Sequence, residues 1–77
     1  METYYLKRYV RAGPGQTTGT ITDKIKFTAE NAAEAEASSR RKFFYSAEKM
    51  NWERDFALLE DTTGKIIAQW FDEASVA

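Results

Sequence analysis

Glu53-Arg54-Asp55-Phe56-Ala57-Leu58-Leu59-Glu60, then Asp61-Thr62-Thr63-Gly64, then Lys65-Ile66-Ile67-Ala68-Gln69-Trp70-Phe71, reads as two strands around a tight turn. The flanks are rich in aromatic and branched residues, which suit a pleated, half-buried surface. The turn ends on a glycine, and a glycine in the left-handed region is a common way to close a hairpin. Residues 53–60 and 65–71 are therefore expected to pair as an antiparallel hairpin.

A second pair lies at the other end of the chain. Residues 3–11, with three tyrosines, Leu6 and Val10, read as a strand. Tyr4, Leu6 and Val10 fall on one face, with Arg8 among them; Tyr5, Lys7 and Tyr9 fall on the other. Residues 20–27 alternate more cleanly. Ile21, Ile25 and Phe27 face one way, with Asp23 between, and Thr20, Thr22, Lys24 and Lys26 face the other. Residues 12–19 hold three of the four glycines and the only proline, so they are a loop and not a helix or central strand.

Between the hairpins lies a stretch rich in Ala and Glu, both good helix formers. Thr28 suits an N-cap, Glu30 and Glu34 suit the positive end of a helix dipole, and Arg40, Arg41 and Lys42 suit its negative end. The expected helix runs from Ala29 to about Ala47. Its buried stripe is Ala29, Ala33, Ala37, Phe44 and Ala47, and the residues after it are helix or loop. The tail from Asp72 is short and expected to fray. The order β-β-α-β-β predicts an α+β fold: a four-stranded antiparallel sheet with one helix packed on one face.

The chain has 77 residues, enough for one small domain with a thin core. It contains no cysteine and no histidine. Disulfides and thiolate metal sites are thereby excluded, as are the commonest transition-metal ligand and the usual general base. No nucleophile–base pair can be assembled short of a lysine or carboxylate scheme, so no enzyme activity, cofactor or small-molecule substrate is expected. No apolar run reaches the length of a membrane span, and Met1-Glu2-Thr3-Tyr4-Tyr5 does not resemble a signal peptide. A cytoplasmic protein is the expectation.

Two segments invite sharper readings. Gly13-Pro14-Gly15-Gln16-Thr17-Thr18-Gly19-Thr20 is glycine-rich like a phosphate loop, but it lacks the lysine and precedes a strand rather than a helix. A plain hairpin loop accounts for it. Glu53, Asp55, Glu60, Asp61, Asp72 and Glu73 make the second half acidic, without the spacing of a calcium loop. Solvated hairpin ends account for them.

One helix covers one face of a sheet, yet strands 1, 3 and 4 carry apolar residues on both. Phe56 and Leu58 oppose Ala57 and Leu59, and Ile66, Ala68 and Trp70 oppose Ile67 and Phe71. The surplus suggests a contact surface through Tyr5, Tyr9, Leu58, Ile67 and Phe71, unless the glycine-rich loop and the tail fold over it. The first expectation is thus a small non-catalytic module that binds a protein partner or a second copy of itself. An adaptor or a stoichiometric inhibitor, of the kind phages and mobile elements encode, fits that description. The alternative is a nucleic-acid-binding regulator. Residues 1–42 carry eight basic and five acidic side chains, against an overall net charge of −1. Lys7, Arg11, Lys24 and Lys26 on the first hairpin, with Arg41 and Lys42 on the helix, would meet phosphates beside tyrosine rings.

Overall fold

The computed structural model describes residues 1–44 and 51–71, apart from the side chains of 42–44. Strand β1 spans Glu2–Arg11, β2 Gly19–Ala29, helix α1 Ala32–Phe44, β3 Asp55–Asp61 and β4 Ile66–Trp70. The four strands form one antiparallel sheet in the order β2-β1-β3-β4. Both expected hairpins are present, and β1 joins them by pairing with β3 along the middle of the sheet. This is the α+β architecture expected from the pattern of elements.

The turn chemistry explains both hairpins. Asp61 Oδ1 accepts hydrogen bonds from the Thr63 amide at 2.8 Å, the Thr63 hydroxyl at 2.6 Å and the Lys65 amide at 3.0 Å. Gly64 follows with φ of 85°, a left-handed conformation that costs a side chain about 1–2 kcal/mol. In the first hairpin the Ala12 amide donates to Thr18 O, closing the loop. The Gln16 amide donates to Gly13 O over Pro14 and Gly15 (φ 73°). Proline then glycine at the two central positions is the signature of a type II turn.

The core lies between α1 and one sheet face. Tyr4, Leu6, Ala29, Ala35, Ala57, Leu59 and Trp70 are buried together, with Ile25, Phe27, Trp52, Ile67 and Ala68 packed against them. The helix meets this core through Ala35 and Ser39, one turn apart and both fully buried. Ser39 answers its own burial by donating to Ala35 O at 2.8 Å.

Three expectations are corrected. The helix begins at Ala32, not Ala29, because β2 continues through Ala29. The cap is Asn31 rather than Thr28, and its side chain accepts the Glu34 amide at 2.9 Å. Starting three residues later rotates the buried stripe, so Ala33 and Ala37 are exposed while Ala35 and Ser39 face the core. The Phe44 and Ala47 positions of the expected stripe fall outside the side chains described.

The second correction is a bulge in β2. Arg8 pairs with Asp23 but Tyr9 with Ile21, so Thr22 is an extra residue, and its hydroxyl donates to Arg8 O at 3.3 Å. Ile21 therefore turns away from the face that carries Ile25 and Phe27. The third is a bulge in β4. Leu59 pairs with Ala68 but Glu60 with Ile66, which leaves Ile67 as the extra residue. Ile66 consequently faces out, while Ile67 packs on the core.

Replacing Asn31 by Ala is expected to cost about 1 kcal/mol in urea unfolding, and Gly64→Ala about as much. Thr28→Ala should stay within about 0.5 kcal/mol of the parent, as suits an exposed strand residue.

Candidate interaction face

Opposed residues in antiparallel strands share a face, so the register assigns every side chain to one side of the sheet. The side away from α1 carries three cross-strand rows. The first is Lys26, Tyr5, Glu60 and Ile66. The second is Lys24, Lys7, Leu58 and Gln69. In the third, Ile21, Tyr9 and Phe56 lead toward Phe71. No described element packs on this side.

The third row forms a small core of its own. Phe56 is only 1% exposed, although the helix lies on the opposite face. The Tyr9 ring stacks on it, centroids 4.9 Å apart and 4° from parallel. Phe71 tilts against it at 5.4 Å, and the Arg11 guanidinium sits 5.4 Å from its centroid. Arg11 is held there by hydrogen bonds to Gln16 O and Phe71 O. Part of the apolar surplus is thus consumed within the chain. What stays open is Ile21, 45% exposed, and Ile66, 50% exposed, near opposite corners, with half-buried Tyr5 and Leu58 between.

Of the residues expected to make contacts, Tyr5, Tyr9, Leu58 and Phe71 lie on this side. Ile67 does not; the β4 bulge turns it into the core. Ile21 and Ile66 belong to this surface and were not among the expected contacts, since a strict two-residue alternation gives no sign of a bulge.

The expected nucleic-acid residues divide. Lys7, Arg11, Lys24 and Lys26 come together on this same side, because Lys24 is opposite Lys7 and Lys26 opposite Tyr5. Lys7 is taken up by Glu60 at 3.0 Å, and that hydrogen bond raises its pKa above the ordinary lysine value. Lys24 holds its ammonium 4.7 Å from the centroid of Tyr5, a cation–π geometry. Arg41 is exposed on α1, in the opposite layer, and the Lys42 side chain lies outside those described. Two tyrosines and four cations therefore share a face, but Tyr5 is met by Lys24 and Tyr9 by Phe56.

At the end of the sheet an open groove of about 890 Å³ runs between the glycine-rich loop and residues 51–54, with Trp52, Phe71, Arg11 and Arg54 on its walls. The loop joins two strands, so no helix N-terminus stands behind it. Both guanidiniums already have acceptors: Arg11 as above, and Arg54 on Asp55 at 2.9 and 3.3 Å. Asp55 is fully buried on the helix side of the sheet and also accepts from Arg8 at 2.8 Å and from the Asn51 amide at 3.3 Å. Burial alone would raise its pKa. The hydrogen bonds from Arg54, Arg8 and Asn51 outweigh that and hold it below the ordinary carboxylate value. Asp61 is likewise held low, mainly by the Thr63 hydroxyl. Among the described residues there is no cluster of three acidic side chains able to hold a metal ion, and no helix long and apolar enough to cross a membrane.

No protein-family model, no curated protein and no solved structure matches this chain.

Asp55 is buried while Arg8 is partly exposed and Arg54 largely so, and Asp55→Asn strips hydrogen bonds from both arginines, so it should cost about 1–3 kcal/mol in denaturant unfolding. A carboxylate with a lowered folded pKa stabilises above its unfolded pKa and loses that contribution as pH falls through the folded value. The parent should therefore lose stability below about pH 4, and Asp55→Asn should show a shallower fall over the same range.

Proposed function

We propose that this chain is a small non-catalytic protein-binding module of the cytoplasm, an adaptor or stoichiometric inhibitor that docks a partner on the sheet face away from the helix. One observation carries the reading: a complete four-stranded face bears Ile21, Ile66, Leu58 and Tyr5, and no described element covers it. Exposed apolar groups gathered on one surface mark contact sites more often than chance placement does. The charges of that face suggest the partner's character. Lys24 and Lys26 are exposed along β2, while Lys7 and Glu60 neutralise each other. A partner surface with an apolar centre and acidic groups over β2 complements it.

The same cations support nucleic acid as a second reading. It is the weaker of the two, because single strands are held by stacking on open rings, and both tyrosine rings already have neighbours.

Capture from the source cell tests the first reading. The parent chain should retain a protein that Tyr5→Ser with Ile66→Ser loses and that Ala37→Ser, exposed on the helix, keeps. Light scattering at two concentrations shows whether that protein is a second copy of this chain. Equal capture by the outer-face double variant rejects the reading. A bound nucleic acid released by moderate salt, and lost in Lys24→Glu with Lys26→Glu, would replace it with the second.

A further inference from the structure

The two edges of the sheet are not alike. Strand β4 has five residues and a bulge at Ile67 next to its exposed Ile66. Short and bulged strands are a common protection against pairing with other chains. Strand β2 has 11 residues, and its bulge at Thr22 leaves residues 23–29 in unbroken register with β1. That stretch contains neither proline nor glycine. No described strand pairs with its far side. In an antiparallel strand alternate amides and carbonyls point away from the neighbour. Half of the backbone groups along 23–29 therefore face outward, in strand geometry.

We propose that this edge of β2 accepts an extended acidic segment of a partner protein as a fifth, antiparallel strand. Side-chain chemistry decides the occupant. On the outer face the edge presents Lys24 and Lys26; on the inner face it presents Ile25 and Phe27, which pack on the core but remain only half-buried. An incoming strand that alternates acidic and apolar residues sets carboxylates opposite the lysines and extends the core beyond Ile25 and Phe27. Opposite charges directly across two strands stabilise, and like charges destabilise.

That rule also disfavours a second copy of this chain in the central registers. Two β2 strands paired antiparallel about residue 24, 25 or 26 bring lysine opposite lysine in every case. The lysines thus bias the edge against its own central registers and toward acidic strands. This inference uses the sheet edge and its charges, and stands independently of docking on the outer face.

The test uses the full isotope-labelled chain and two blocked peptides, acetyl-Thr-Val-Glu-Val-Glu-Val-Thr-amide and its counterpart with lysine in place of glutamate. Amide shifts and hydrogen exchange are followed up to millimolar peptide. The glutamate peptide should shift and slow the amides of 23–29, and bind about tenfold more tightly than the lysine peptide, from two cross-strand pairs changing sign. In Lys24→Glu with Lys26→Glu the order of the two peptides should reverse. These substitutions are at exposed positions, so the variant is expected to fold, and its own spectrum shows whether it does. The proposal is overturned if both peptides bind alike, if the preference survives the charge reversal, or if neither slows exchange in 23–29. It is equally overturned if the shifts gather at Leu58 and Gln69, which would place the peptide on the outer face instead.

Discussion

The carboxylate of Asp55 is the buried group that ties the two halves of the chain to a single register. It accepts from Arg8, 47 residues earlier on β1, from Arg54 beside it, and from the Asn51 amide that precedes β3. Among the described residues, the pairing of β1 with β3 is the link between the two hairpins within the sheet. The apolar residues of β3 do not specify that pairing. Phe56, Ala57, Leu58 and Leu59 offer something apolar to either face, so a slip of one residue would still bury hydrocarbon. It would also move Asp55 off Arg8 and leave a half-buried guanidinium and a buried carboxylate apart. Buried ion pairs add little net stability compared with apolar replacements. The physical role of this one is to make the wrong register costly.

The same register explains why the sheet has a second, smaller core. Once Val10 is opposite Asp55, Tyr9 is opposite Phe56 on the outer face. Tyr9, Phe71 and the Arg11 guanidinium then close over the Phe56 ring until almost none of it meets water. Large rings and a guanidinium plane shield one another sideways. Counting apolar residues by face overstates what such a surface exposes. The open apolar groups lie instead near the corners, at Ile21 and Ile66.

Those corners mark the limit of what the sequence made legible. The strands, both hairpins, the loop and the class of fold follow from composition, glycine and proline placement, and alternation. The bulges at Thr22 and Ile67 do not, because neither site carries a glycine or any other local sign. Each moves isoleucines to the opposite face: Ile21 and Ile66 outward, Ile67 inward. The helix face was hidden for a different reason. In an Ala-Ser-Glu segment, Ala35 and Ser39 differ little in size or polarity from exposed Ala33 and Ala37, so the helical period has almost no amplitude. The cap was legible and misplaced. Thr28 has the right chemistry, but Asn31 stands three residues before Glu34, the spacing of a capping box, and β2 keeps Thr28 extended. Arg8 read as an interruption of its strand and Asp55 as a solvated hairpin end; the fold instead buries Asp55 completely and joins the two as the central ion pair.

Charge placement also bears on what the open edge of β2 would pair with. The first 42 residues have a surplus of cations, and the fold gathers four of them on the outer face of the first hairpin. Two are absorbed, Lys7 by Glu60 and Arg11 by backbone carbonyls. Lys24 and Lys26 are left exposed along β2, where no described strand pairs with the sheet. An edge of apolar side chains there would bind copies of itself as readily as a partner. A pair of like charges, two residues apart on one face, breaks that symmetry: it repels the identical strand in each centred antiparallel register and attracts the opposite charge pattern. In the proposed edge pairing, the bias against central self-registers and the preference for acidic strands rest on the same two ammonium groups, with no change in backbone geometry.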